Sequence, residues 1–275
     1  MNRKILTTKN SSKRFLQRRD YSLYYEVTGK GPAIIFIHGL GGNFLSWWQQ
    51  IPYFANHFTC VTFSQRGFFL STKGVKELDP STLAADLAFL IESLRLPQVS
   101  IIAQSMGGIS GLEYTLQNPS RVMGLIMAGS IGSFYDPKLK LLFENIDKKR
   151  DALIKRGVHP AAGERMANEN PPLHFLYQKI DALNSRNDKK LLRRKIISFQ
   201  FKKIVPEELS RIATPIFCIS GEEDIVTPTQ AVKLFASFLP NTKLRIIKKA
   251  GHSVYFEKPE IFNRLVGKIL LNDFQ

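Results

Sequence analysis

The sequence is poor in cysteine, has no hydrophobic run long enough to cross a bilayer, and shows no nucleic-acid motif beside a formal charge of +16. Each shortage excludes something. Cys60 and Cys218 are the only two cysteines in 275 residues, and both sit in short apolar runs, so a disulfide framework is out and two reduced, buried thiols in a cytoplasmic protein are expected. The apolar runs, such as 33–37 and 99–103, stop far short of the roughly 20 residues a membrane helix needs. The first residues, MNRKILTTKNSSKRF, contain no apolar stretch of signal-peptide length. Residues 1–19 hold seven Lys or Arg and no acid, which reads as a frayed basic tail, with an organelle transit peptide the weaker alternative. No internal repeat appears. The phosphate-loop pattern GxxxxGK[ST] is missing, and the five histidines (38, 57, 159, 174 and 252) lack metal-ligand spacing, so no cofactor or metal is expected.

The chain is nevertheless long and apolar enough, at 44%, to bury a core without staples. Its charge is unevenly spread. Residues 1–30 carry eight basic and two acidic side chains, 31–130 five and five, 131–213 eighteen and ten, and 214–275 eight and six. The excess therefore belongs to the N-terminus and to one central segment. In that segment the Lys and Arg alternate with apolar positions, as in KLLRRK (190–195), which is the pattern of the wet face of amphipathic helices. Without a recognised motif the charge does not argue for nucleic acid.

The elements alternate. Ser22–Thr28, AIIFI (33–37), CVTF (60–63), VSIIA (99–103), VMGLIMA (122–128), PIFCIS (215–220) and KLRIIKK (243–249) read as strands. Helices are predicted over 81–94, capped by Ser81, and over 105–117, 228–238 and 259–271. Buried strands separated by helices imply a doubly wound α/β domain with a mostly parallel sheet. From 131 to 213 the strand-like runs vanish and helical spacing takes over. The expected division is a basic arm (1–20), an α/β core (21–130 and 214–275) and a helical cap (131–213).

Three loops carry chemistry. Ala103-Gln104-Ser105-Met106-Gly107-Gly108 lies between a strand and a helix, the setting in which a serine is lifted off a sheet on a sharp turn with small residues beside it. An ordinary helix N-cap is the competing reading. Asp224 and His252 each follow a strand, so a parallel sheet would bring them to the edge that holds Ser105, where the imidazole takes the hydroxyl proton and the carboxylate orients the imidazole. His38-Gly39-Leu40-Gly41-Gly42 ends the first buried strand. Its glycines allow backbone approach, and the Leu40 and Met106 N–H groups are the candidate donors to an oxyanion. Phe44, Trp47, Trp48, Phe134, Tyr135 and Val226 are the candidate lining of an apolar pocket.

In combination, HGLGG, QRGF (65–68), AQSMGG (103–108), GEEDIVTP (221–228) and AGHSVYFEKPE (250–260) resemble the α/β-hydrolase superfamily, with matches from about Tyr21 to Leu271. The nearest likeness is to small serine esterases and the 3-oxoadipate enol-lactonase branch. The resemblance implies an eight-stranded sheet with an antiparallel second strand and a helical lid over residues 131–213. It also implies Ser105 as nucleophile, His252 as base and Asp224 as orienting acid, with Asp136 as an alternative acid. Relatives usually carry Asp-x-Arg-Gly-x-Gly-x-Ser where this chain has Ser64-Gln65-Arg66-Gly67-Phe68-Phe69-Leu70-Ser71, so an acid and a glycine are missing.

The activity implied is cleavage of a small-molecule ester or lactone through an acyl-enzyme. Thioester hydrolysis on an acyl carrier protein and C–C bond hydrolysis remain open on the same triad, as does cofactor-free haloperoxidase-like activity. A non-catalytic small-ligand receptor or scaffold is the alternative from another class. The basic cap adds the expectation of an acidic partner, such as acyl carrier protein, or of a carboxylated ester.

Overall fold

In the computed structural model, residues 11–74, 78–144, 146–198 and 203–274 are described. Eight strands form one sheet in the order β1-β2-β4-β3-β5-β6-β7-β8. They are β1 (Ser11–Arg18), β2 (Tyr21–Thr28), β3 (Ala33–Ile37), β4 (Thr59–Phe63), β5 (Val99–Gln104), β6 (Val122–Ala128), β7 (Ile216–Gly221) and β8 (Thr242–Ile247). Strands β3 to β8 run parallel, and β2 is antiparallel to both of its neighbours. The sheet order reverses after β3, between β4 and β5, and ligand sites in open α/β sheets gather beyond the strand ends at such a point.

Period-2 alternation splits the buried strand residues into two cores. Ile35, Ile37, Ile101, Ala103, Leu125 and Met127 face the helices Leu83–Ser93, Gly107–Gln117 and Thr229–Ala236. Ile34, Phe36, Ile102, Ile126, Phe217 and Ile219 face the other side, where Pro259–Asn272 packs through Phe262, Val266 and Ile269. Cys60 and Cys218 are buried and free, and burial pushes both thiols up, Cys218 to about 12.

Two expectations need correction. The basic N-terminus is not a tail throughout: from Ser11 it is an edge strand paired residue for residue with β2, so the expected boundary at residue 20 falls in a hairpin turn. Residues 1–10 lie outside the described residues. SSKRFLQR has no apolar run because an edge strand buries little, and charged side chains there discourage pairing with another chain. Ser81 is not the cap of the second helical segment either. Asp79 Oδ1 accepts the Ser81 N–H (2.9 Å), a 3-10 turn spans Pro80–Thr82, and the α-helix starts at Leu83.

Among the described residues, six helices run between β6 and β7: Leu139–Phe143, Ile146–Lys155, Gly163–Glu169, Pro171–Ala182, Arg186–Ile197 and Pro206–Leu209. The insertion is clasped at its base, where Ile204 N–H donates to Ser133 O (2.9 Å) and Tyr135 N–H to Ile204 O (2.9 Å). Many of its cations are already paired, among them Arg165 with Glu223 (2.6 Å) and Lys189 with Asp181 (2.5 Å). Among the described residues no helix is long and apolar enough to cross a membrane.

Candidate active site

Ser105 occupies the turn between β5 and the helix Gly107–Gln117 with φ +50°, a left-handed conformation that costs a non-glycine residue roughly 1–2 kcal/mol. The surroundings hold it there. Its N–H donates to Ala128 O (3.0 Å), and its carbonyl accepts from Gly108 N–H (2.9 Å) and Ser130 Oγ (2.6 Å). A Cβ on Gly107 would lie 2.6 Å from Ile37 O and 2.9 Å from His38 O, so residue 107 has no room for a side chain. Ala103, where the motif usually has glycine, fits because Gly111 faces its methyl.

Asp224 follows β7 and His252 follows β8, and the two side chains meet: His252 Nδ1 and Asp224 Oδ2 are 2.8 Å apart, both buried. The other carboxylate oxygen, Oδ1, accepts the N–H groups of Val226 and Thr227 (2.8 Å each). Both oxygens are therefore occupied, and the carboxylate is fixed in plane and in rotation. Asp136 lies elsewhere, its Oδ1 accepting Lys138 N–H (2.8 Å), and it does not replace Asp224 beside the imidazole.

Gly129 connects this pair to the serine. It follows Ala128, the acceptor of the Ser105 N–H, and has φ +56°. A Cβ there would sit 3.0 Å from His252 O, 3.1 Å from His252 Nδ1 and 3.3 Å from Asp224 Oδ2. The Asp224–His252 pair thus lies against Gly129, and the Ser105 N–H is bonded to the residue before it. Gly129 and Ser130 were not picked out from the sequence, where a glycine and a serine after a strand read only as punctuation.

His38 is buried and anchors the glycine-rich loop. Its Nδ1–H donates to Gly39 O (2.8 Å), while Nε2 accepts Gln65 N–H (2.9 Å), which fixes the neutral tautomer. Burial lowers its pKa to about 4. Gln65 Nε2 donates back to His38 O (2.7 Å). A Cβ on Gly39 would overlap Gln104 Oε1 at 2.1 Å and crowd Ser105 Cβ at 2.9 Å, so glycine is required there by close approach. Gly41 is different, since a Cβ would find ordinary contact at 3.4–3.5 Å with Tyr177, Asp181 and His159 of the insertion. The N–H groups of Leu40 and Met106 have no protein acceptor among the described residues.

The expected apolar pocket does not form as a unit. Trp47 and Phe134 are fully buried, Trp47 against Phe36 and Tyr255, Phe134 against Phe235 and Phe238. Phe44 packs on Tyr24 and Phe69, and Tyr135 lies under Lys203. Val226 is half-buried beside Asp224, and Trp48 is exposed at the edge of a groove of about 380 Å³. The aromatic character of Phe44, Trp47 and Phe134 is spent on the core, the commonest use of such side chains. Neither that groove nor a second, of about 420 Å³ beside Arg165 and Glu223, is lined by Ser105 or His252.

The insertion reaches the site through residues the sequence did not mark. Ser253 Oγ–H donates to the Tyr177 hydroxyl oxygen (3.0 Å), Asn184 Nδ2 donates to Gly42 O (3.1 Å), and Asn43 Nδ2 donates to Ile180 O (3.0 Å). Such contacts are tertiary and leave no local signal.

A sequence model of the α/β-hydrolase fold matches residues 32–259. The chain is 27% identical over 258 residues to a putative carbamate hydrolase, RutD, of Caulobacter sp. (strain K31), with 89% of this chain and 94% of that one covered. It is 24% identical over 263 residues to 3-oxoadipate enol-lactonase 2 of Acinetobacter baylyi, with 93% and 95% covered. A thermophilic esterase from Thermogutta terrifontis shares the fold with TM-score 0.76 at 19% identity, over 96% of this chain and 100% of that one. With most of its length matched and its eight strands in one mostly parallel sheet, the chain belongs to the α/β-hydrolase fold family.

Proposed function

We propose that the protein is a serine hydrolase that cleaves a small-molecule carboxylic ester or lactone through an acyl-enzyme on Ser105. One observation carries the reading: a buried Asp224–His252 pair at 2.8 Å against Gly129, the residue after the one that accepts the N–H of a serine in a left-handed elbow. A serine hydroxyl is a weak nucleophile until a base takes its proton. In the proposed cycle Ser105 Oγ attacks the carbonyl carbon and its proton passes to His252 Nε2. Asp224 keeps the imidazole in the Nδ1–H tautomer and stabilises the imidazolium. The N–H groups of Leu40 and Met106 donate to the oxyanion, each worth roughly 10²–10³ in rate. His252 then protonates the departing alkoxide, and water repeats the sequence on the acyl-enzyme. The hydrolase and lactonase names of the relatives support acyl transfer to water.

The helices of residues 131–213 serve as a cap in this reading, roofing the site through Tyr177 and Asn184. The test is labelling by a fluorophosphonate, read by intact mass, beside turnover of p-nitrophenyl esters of graded chain length. Wild type should gain one adduct and Ser105→Ala none, with short-ester turnover lost in the variant. A wild-type protein that neither labels nor turns over any ester would move the reading to a ligand-binding role.

A further inference from the structure

The helix Pro171–Ala182 has its polarity reversed for an element that meets only water. Its buried positions include His174 and Tyr177, while Phe175 and Leu176 point outward, 58% and 37% exposed. Pro172, Phe175, Leu176 and Lys179, followed by Leu183 (44% exposed) just past the helix end, recur at three- and four-residue spacing and form one outward stripe.

A second row runs beside it. Leu45 and Trp48, 37% and 44% exposed, lie three apart along the 3-10 turn Phe44–Trp47, where such positions eclipse. The Asn43–Ile180 hydrogen bond ties this turn to the helix, and Trp48, Pro172, Leu173, Leu176 and Pro259 border one groove. Apolar side chains grouped in this way mark an interaction surface, whereas scattered ones do not.

Along the two apolar rows themselves the charge has one sign. Residues 170–180 contain no acid and residues 43–53 no charge at all, while Lys179 is exposed on the stripe and Arg186 and Lys190 are exposed in the helix that follows Leu183. Lys179 Nζ lies 4.8 Å from the Phe175 ring centroid. Of the acids near it, Asp181 holds Lys189, Glu169 pairs with Arg165, Glu257, at the groove, is turned onto the Gly251 N–H (2.6 Å), and Glu260 is exposed past Pro259.

We propose that this stripe docks on an anionic lipid bilayer, with Leu45, Trp48, Phe175, Leu176 and Leu183 entering the boundary between headgroups and acyl chains and Lys179, Arg186 and Lys190 meeting the headgroups. An exposed helix face that carries aromatic and leucine side chains, with Lys179 over the Phe175 ring, has the make-up of an element lying in the boundary between headgroups and acyl chains. The inner face of the same helix carries Tyr177, bonded to Ser253 next to His252. Resting on the hydrolase reading, this orientation would deliver ester groups from the bilayer to the roof of the site.

Binding is measured apart from catalysis, by co-sedimentation of the full chain with vesicles of phosphatidylcholine alone or with about a third phosphatidylglycerol. Wild type should bind the anionic vesicles at least about tenfold more tightly than the neutral ones, with the preference lost in about 0.5 M salt. The emission of Trp48 should shift to the blue, since Trp47, the only other tryptophan, is already buried. Phe175→Ser/Leu176→Ser should weaken binding at least about tenfold while melting like wild type, because both side chains are exposed. No binding to anionic vesicles overturns the proposal in favour of a protein partner. Undiminished binding by the double variant overturns it in favour of the basic N-terminus alone, and equal binding to both vesicle types overturns its anionic part.

Discussion

His38 makes the fold acid-sensitive by a worked amount. The imidazole is buried, donates from Nδ1 to Gly39 O and accepts at Nε2 from Gln65 N–H. A proton on Nε2 would set donor against donor at 2.9 Å. Burial therefore lowers the pKa from 6.5 to about 4. The sign follows from proton binding. Between pH 6.5 and 4 the unfolded chain takes up a proton that the folded chain refuses, so the stabilisation is complete above pH 6.5 and is lost as pH falls toward 4. At pH 5 the loss from this group is about 2 kcal/mol, and below pH 4 it levels off at about 3 kcal/mol.

The assay is guanidinium unfolding at pH 7.5 and 5.0 for wild type and His38→Asn, whose amide can still donate to Gly39 O. The variant should be less stable at pH 7.5, because it leaves the Gln65 N–H buried without its acceptor. It should, however, lose about 2 kcal/mol less than wild type on going to pH 5.0. Other shifted groups, such as His174 and Glu257, are common to both proteins and cancel in the difference. Equal losses in the two proteins, within about 0.5 kcal/mol, would refute the assignment of a buried neutral His38 and with it this account of how the glycine loop is anchored.

Two other perturbations address the candidate site. Asp224→Asn keeps an oxygen for the Val226 and Thr227 N–H groups but turns an NH₂ toward His252 Nδ1. That selects the Nε2–H tautomer and leaves Ser105 without a base, so kcat should fall about 10³–10⁴-fold while the melting temperature barely moves; a loss under about tenfold would remove Asp224 from the mechanism. Gly129→Ala combines a left-handed alanine, roughly 1 kcal/mol, with a methyl 3.1 Å from His252 Nδ1. Melting should drop by about 2–4 °C and kcat by about tenfold at nearly constant KM; a raised KM with kcat unchanged would place the methyl in a substrate pocket instead.

The legible part of the fold was the part whose burial is written locally. AIIFI and VMGLIMA are buried on both faces of the sheet, and their strands match the structure residue for residue. Strand β1 was read as tail because its stability comes from pairing with β2 and not from apolar content. The short helices Ile51–Phe54 and Val254–Glu257 are one turn each, too brief for a period to show. At the site, Ser105, Asp224 and His252 were legible as residues after strands, and topology then set them at one edge. Gly129, Ser130, Tyr177 and Asn184 were not, since each matters through a neighbour distant in sequence. The aromatic residues after the glycine loop misled for the converse reason, as a core and an acyl pocket ask for the same side chains.

The departures at 64–71 show how the loop is braced by other means. Ser64, standing where relatives carry an acid, accepts the Phe44 N–H at its hydroxyl (3.3 Å), and its carbonyl takes the Ser71 hydroxyl (2.7 Å). Phe69, where relatives carry glycine, stacks on Phe44 at 6.2 Å and 9°, and its N–H donates to Asn184 Oδ1 (3.1 Å). Asn184 spends its other end on Gly42 O. One buried side chain of the insertion therefore holds both the arginine loop and the glycine loop. Arg66 completes the brace, reaching Asp86 through two nitrogens (2.8 and 2.5 Å) and the Tyr21 hydroxyl (2.8 Å) beneath β2. This chain thus holds the loop partly from the insertion. Moving the chain at Asn184, just past the Pro171–Ala182 helix, would then pull on Gly42 and Phe69 together, so the insertion and the glycine-rich loop form one mechanical unit.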